Sequence, residues 1–338
     1  MSKSTNILLG LFNKLGFFDV IRSLNRNTLT VLNYHRIDDP FRVGFNTFKP
    51  NVSATPTQFA KQMDYIHRKY NVVTGSEVAK WINGGPPLPP NAAVITFDDG
   101  YHDNLSKAYP VLKKYNLPAV IFLTTNYIDS SLPFYWDIVA YAFDHTPKDN
   151  ADFPLLGKRR WHDSGSRKII MDEWVERIKT LPEADKKKQI DLLPDILGAS
   201  IPDDLSANLT LTWSDVRHMS ENGIEMGSHT ASHPILTRVS LEDARVELEK
   251  SKSRIEAEIK SQVVSFAYPN GQDTDFNDEV IECVCQAGYQ IAFTLLPGPT
   301  KYTIVKRSPF TVRRIFLSYK DSFPRFVGKL IGLSKFSS

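Results

Sequence analysis

Asn91-Ala92-Ala93-Val94-Ile95-Thr96-Phe97-Asp98-Asp99-Gly100 is the stretch on which the reading of this chain turns. A short apolar strand, Ala92 to Asp98, runs directly into two adjacent carboxylates and a glycine that permits a sharp turn. Adjacent residues at a strand end point in different directions. One carboxylate can therefore bind a metal while its neighbour faces a substrate. Taken alone, Asp-Asp-Gly is also ordinary turn chemistry.

Outward from this stretch, strand-like runs alternate with amphipathic helical ones. Strands are expected at Thr28 to His35, Ala119 to Thr124, Ile224 to Ser228, Val263 to Tyr268 and Gln290 to Leu295. Helices are expected at Pro56 to Tyr70, Leu105 to Tyr115, Trp213 to Asn222 and Leu241 to Lys260. The last opens on Ser240 and Asp243 as an N-cap pair, and its many charges read as a solvated face. This alternation is that of an α/β fold on parallel strands. Gly84 to Pro90, rich in glycine and proline, reads as a stiff connector into the decisive strand. From about Ser130 to Ala207 the rhythm fails, and the segment reads as a mostly helical insertion above one end of the strands.

The 338 residues, 41% hydrophobic and 23% charged, are those of a packed globular protein. A net charge of +3 with interleaved signs gives no field to attract nucleic acid. Cys283 and Cys285 lie two apart on a predicted helix and face different directions, which suits reduced packing residues and a reducing compartment. Ile7 to Phe12 resembles a signal core but is broken by Asn13 and Lys14, and no small-residue cleavage pattern follows. Residues 7–24, and the turns around Phe323, Phe326, Val327, Leu330 and Ile331 with Lys335, read as amphipathic helices. They fit packing on the fold, or contact with an anionic membrane surface.

The second chemical element is Gly227-Ser228-His229-Thr230-Ala231-Ser232-His233-Pro234, again just after a strand. Histidines at i and i+4 can reach one metal from one face of a helical turn, and imidazole with carboxylate is a common catalytic zinc set. Matched with a strand-end Asp-Asp, the pair points to a metal.

Thr96-Phe97-Asp98-Asp99-Gly100 and His229-Thr230-Ala231-Ser232-His233 resemble the first two motifs of the polysaccharide deacetylases of the NodB-homology, carbohydrate esterase 4 type. The resemblance implies an irregular (β/α) barrel over 28–316 carrying the insertion at about 130–207, between an amphipathic segment 1–27 and an amphipathic tail 317–338. It implies Asp99, His229 and His233 as ligands of a divalent metal, zinc first with cobalt, manganese and nickel also suited, and Asp98 as base. The third family motif stands here as Ala267-Tyr268-Pro269-Asn270-Gly271, so the Asn270 backbone N–H would be the oxyanion donor. The family arginine before it is absent, leaving Arg313 or Arg314 to orient Asp98. No histidine follows His233, and the general acid falls to His35, as in circularly permuted members that act on exopolysaccharides. Asn33 occupies the position expected for leucine, and His35 also reads as a histidine closing a strand. The remaining histidines, His67, His102, His145, His162 and His218, read as structural or surface residues, and Trp136 and Asp137 as core aromatics and neighbours, or as an overhang for a sugar ring.

The expected function is hydrolysis of the N-acetyl amide of GlcNAc-type residues, by metal-activated water, in an exopolysaccharide or its lipid-linked precursor. Peptidoglycan, chitin-like oligomers and non-sugar amides are alternative substrates. The alternative of another class is a catalytically weakened carbohydrate-binding or scaffold protein on the same fold. The expected location is cytoplasmic, peripheral at the inner membrane face.

Overall fold

The computed structural model describes residues 16–333. The expected helix over 7–24 therefore lies partly outside the described residues, as does Lys335. The strands are β1 Thr28–Tyr34, β2 Arg36–Ile37, β3 Val52–Ala54, β4 Asn71–Val72, β5 Ala92–Asp99, β6 Ala119–Leu123, β7 Asn150–Phe153, β8 Gly157–Arg160, β9 Ile224–Ser228, β10 Ser265–Ala267, β11 Ile291–Phe293, β12 Thr300–Lys301 and β13 Ile315–Phe316. The main sheet runs β11-β10-β9-β6-β5-β1, with β13 on the far side of β1. These pairings are parallel. A single bridge, Phe293 to Val312, returns the chain ahead of β13 to β11 and closes the sheet into an irregular barrel.

Alternation along the strands divides the core in two. On β5, Ala93, Ile95 and Phe97 face the surrounding helices with Leu32, Tyr34, Ile121 and Met63. Ala92 and Val94 face inward with Leu29, Val31, Val120, Phe122 and Phe293. The inward set on β1 is thus 29, 31 and 33, and on β5 it is 92, 94, 96 and 98. Strand parity alone delivers Asn33 and Asp98 to the barrel interior. Gly227 on β9 is needed there, because a Cβ would stand 2.4 Å from the Phe122 ring.

Pro56–Lys69, Trp213–Glu221 and Leu241–Ile259 are helices, close to the expected bounds. Thr55 with Gln58, and Thr212 with Asp215, form reciprocal capping boxes at two of these starts. Tyr109–Tyr115 is preceded by a π-type turn from Asn104 to Ala108, so the predicted helix over 105–115 begins wide. Phe326, Val327, Leu330 and Ile331 of the C-terminal turns are buried against the main core. The first described helix, Phe17–Leu24, buries Phe18 and exposes Phe17, Val20 and Leu24.

Between β6 and the helix Trp213–Glu221 stand three helices, Tyr135–Asp144, Ser164–Ile178 and Glu183–Leu197. They share a core of their own around Phe143, Phe153, Trp161, Trp174 and Leu193. The region is mostly helical, and the β7–β8 hairpin is an element that the reading of the sequence does not include. Its sequence signal is weak, because only Ala151 and Phe153 point inward while Lys158, Arg159 and Arg160 are charged and largely solvated. Cys283 is buried and Cys285 exposed, both as free thiols. Because the insertion has its own core, Trp174→Ala is expected to cost about 3–5 kcal/mol. Amide exchange should rise within 135–197 while β1, β5 and β6 keep their protection.

Candidate functional site

The C-terminal ends of β1, β5, β9 and β10 surround a cavity of about 630 Å³, and the insertion helices wall part of it. At its floor lies Asp98, 2% exposed. Its Oδ1 accepts a 2.6 Å hydrogen bond from Arg314 Nη1, and its Oδ2 a 2.8 Å bond from Asn33 Nδ2. Arg314 is fixed in turn by its Nε, which donates to the Thr294 carbonyl at 3.0 Å. Burial works to raise the Asp98 pKa, but the Arg314 charge, helped by His229 and His35, outweighs it and holds the carboxyl well below the usual range. Of the two candidate arginines, Arg314 is buried in the barrel and Arg313 is exposed.

Asp99 ends β5 with φ +75°, which turns its side chain away from that of Asp98. Its Oδ1 lies 3.7 Å from His229 Nε2 and 3.6 Å from His233 Nε2. Both Asp99 oxygens are buried without a hydrogen-bond partner. Burial first, then the charges of Asp98 and Asp137, push its pKa well above normal. Burial also lowers the pKa of both histidines, which leaves neutral imidazoles with lone pairs to donate. One ligand atom from each of Asp99, His229 and His233 falls within 4.8 Å of the others. A buried, unpartnered carboxylate between two neutral imidazoles is a donor set that fits a divalent cation.

The histidines do not sit on a helical turn, contrary to the expectation from their spacing. Residues 229–235 form an irregular loop, with Thr230 at φ +67° and His233 at φ +65°. A left-handed Thr is costly and needs outside support. Glu247, on the helix Leu241–Ile259, provides it: Oε2 accepts from the Ala231 and Ser232 N–H groups at 2.8 Å each, and Oε1 from Ser232 Oγ at 2.6 Å. The charges of that helix are thus not all a solvated face. His229 Nδ1 donates to the Ala267 carbonyl at 2.7 Å, which turns Nε2 towards Asp99. Trp136 meets the His233 ring edge-on at 4.9 Å, donates from Nε1 to Tyr101 Oη at 2.8 Å and stacks on Phe134 at 4.6 Å. It is a wall of the site that belongs to an aromatic core.

His35 follows β1 with its Nε2 3.9 Å from Asp98 Oδ2. Burial lowers its pKa to about 4, with Asp98 opposing and Arg314 and His229 adding to the fall. Asn270 sits at φ +60°, where asparagine is tolerated far better than tyrosine, and its Nδ2 donates to the buried Asp275 at 2.6 Å. His102, by contrast, faces Asp215 outside the cavity, and His145 stacks on Tyr141 at the surface.

Two functional residues are not evident from sequence. Asn33 stands out there only as a departure from leucine, although alternation from Leu29 and Val31 marks it as inward-facing. Glu247 has no local signal, because its role depends on where a distant loop lies.

Residues 85–292 match the family model described as polysaccharide deacetylase. The chain belongs to the polysaccharide deacetylase family. A Bacillus subtilis relative named for polysaccharide deacetylation, YxkH, is 22% identical over 71% of this chain and 58% of its own length. The poly-beta-1,6-N-acetyl-D-glucosamine N-deacetylase of Staphylococcus epidermidis is 34% identical over 31% of this chain and 39% of that protein. The chain thus spans less than two thirds of these curated relatives. The Streptococcus pyogenes deacetylase PplD, solved with acetate, superposes with a TM-score of 0.60 at 17% identity, covering 90% of this chain and 98% of that one. At such identity the likeness concerns the fold, here the barrel of a deacetylase.

Removing the Arg314 charge strands the Asp98 carboxylate in the barrel. Arg314→Ala is therefore expected to cost about 3–5 kcal/mol in denaturant unfolding. Asp137 tests burial from the other side: burial raises its pKa from 3.8 to about 6 against the Phe48 N–H bond and the Arg36 charge. Stability is therefore lost as pH rises from about 4 to about 6, with the full cost present above that window and none below the unfolded value. Asp137→Asn should be more stable than wild type by about 2 kcal/mol at pH 8. Thermal melts should show that gap closing below about pH 4.

Proposed function

We propose that this polysaccharide deacetylase family member is a metal-dependent hydrolase that removes N-acetyl groups from GlcNAc-type residues of a polysaccharide or its lipid-linked precursor. The observation that carries the reading is the side-by-side pair at the end of β5: Asp98 held ionised by Arg314 at 2.6 Å, and Asp99 unpartnered between His229 and His233. A binding module has no use for such a division. The names of relatives such as the S. epidermidis N-deacetylase support the substrate class.

Asp99, His229 and His233 would hold the divalent cation, zinc by preference, with cobalt, manganese or nickel as alternatives. When bound, it supplies the positive charge that acidifies a water and polarises the acetyl carbonyl. The remaining work falls to side chains and backbone. Asp98 takes a proton from the attacking water as its oxygen adds to the carbonyl carbon. Arg314 makes Asp98 a poor holder of that proton, and His35 stands 3.9 Å away to receive it. Asn270 lines the cavity from a left-handed turn, and its backbone N–H would stabilise the negative oxygen of the tetrahedral intermediate. His35 then gives its proton to the leaving nitrogen as the C–N bond breaks, yielding acetate and a free amine. A neutral resting imidazole is compatible with this role because the proton arrives within the cycle.

The exposure of Val20 and Leu24 on the first described helix further supports a peripheral seat on a membrane, where a lipid-linked precursor would be met. No described helix is long and apolar enough to cross a membrane.

Protein reconstituted with divalent metal is expected to release acetate from N-acetylglucosamine oligomers, and chelation should abolish release. Asp98→Asn and His35→Ala should each lower kcat by at least about a hundredfold while metal affinity stays near wild type. His229→Ala should instead weaken metal binding in calorimetric titration. No release by metal-loaded wild type from free or lipid-linked acetylated sugars would overturn the reading.

A further inference from the structure

The walls of the cavity differ in the groups they offer. The lysines contributed by the insertion are matched to carboxylates of the same helices: Lys168 to Asp172 at 2.6 Å, Lys179 to Glu176 at 2.7 Å and Lys186 to Glu183 at 3.1 Å. That wall presents paired charge, which gives an anionic substrate group no strong hold. The chain leaving β13 differs. Phe316 lines the cavity with its ring edge-on to His35 at 5.8 Å, and it remains 36% exposed. Three residues on, Tyr319 is half-buried and meets Phe41 edge-on at 5.7 Å. Phe41 is itself 75% exposed. Lys320 also lines the cavity, with its Nζ 5.7 Å from the Tyr319 ring centre.

From this we infer a glycan subsite beside the reacting centre: Phe316, Tyr319 and Phe41 form an aromatic track that receives the pyranose ring next to the one being deacetylated. The inference rests on the function proposed above and adds the direction in which the polymer runs. A pyranose presents a face of C–H groups ringed by hydroxyls. Phe316 and Lys320 line the cavity, and Lys320 links it to the Tyr319 ring beyond the lining; exposed aromatic rings suit the C–H face, and the ammonium of Lys320 suits the hydroxyl edge. Large apolar side chains left in water at a cavity mouth gain most from a ligand that covers them. The track begins at Phe316, whose ring meets that of His35, so a ring seated there lies beside the residue held in the cavity.

The test compares kcat/KM for acetate release from the N-acetylglucosamine hexamer and dimer, using metal-loaded protein. Wild type should favour the hexamer. In Tyr319→Ala with Phe41→Ala the hexamer-to-dimer ratio should fall roughly three- to tenfold, through KM rather than kcat. Tyr319→Trp should restore the preference, and Ile304→Ala, an exposed apolar residue elsewhere, should leave the ratio at the wild-type value. An unchanged ratio in the double variant overturns the inference, as does an equal loss on both oligomers. The inference also falls if the ratio holds while sedimentation or binding to anionic phosphatidylglycerol vesicles changes, since a second copy or a bilayer would then occupy the track. If wild type releases no acetate from either oligomer, the proposed function fails first. Calorimetric binding of the hexamer then decides the subsite separately, which stands if the double variant binds more weakly and falls if it does not.

Discussion

An ionised carboxylate inside an apolar barrel is stable only beside a fixed positive charge, and Asp98 depends on Arg314 for it. The cost of burying both groups is offset by geometry: a 2.6 Å bond to one oxygen, Asn33 on the other, and the Thr294 carbonyl on the guanidinium. The remaining site residues take their places around this pair. Its position also dictates the ring of strands, because Arg314 reaches Asp98 only if the segment before β13 closes the sheet between β1 and β11.

The turns that carry the chemistry are all conformationally expensive. Nine non-glycine residues have positive φ among the described residues, and Asp99, Thr230, His233 and Asn270 are four of them. Such conformations persist where neighbours enforce them. Glu247 enforces the histidine loop, Asp275 the Asn270 turn, and the Ala267 carbonyl the orientation of His229. Each clamp lies outside the motif that it steadies. The site is rigid by virtue of residues that do no chemistry.

The same arrangement explains how much of the molecule is legible in its sequence. The six main strands and the longer helices follow from local apolar rhythm, which is what they bury. Asp98, Asp99, His229 and His233 are legible because adjacency and spacing are local properties. Strand parity makes Asn33 legible in principle, although its meaning appears only beside Asp98. Glu247 is not legible, since one glutamate on a highly charged helix looks like any other. The choice of Arg314 over Arg313 likewise needs the closing strand, whose two residues carry too little pattern to announce themselves. The helical turn expected for the two histidines fails because spacing fixes which residues meet, not the backbone path between them.

The closing bridge at Phe293 and Val312 has a consequence for synthesis. A chain emerging from its N-terminus possesses Asp98, Asp99, His229 and His233 long before it possesses Arg314. Until then the carboxylate meant for the barrel floor has no counter-ion, and shutting the ring around it would bury a lone charge. The bridge residue Val312 arrives with Arg314, so the ring has nothing to close it before then. Completion of the catalytic floor and closure of the fold thus fall to one short segment, which carries Val312, Arg314 and β13 together.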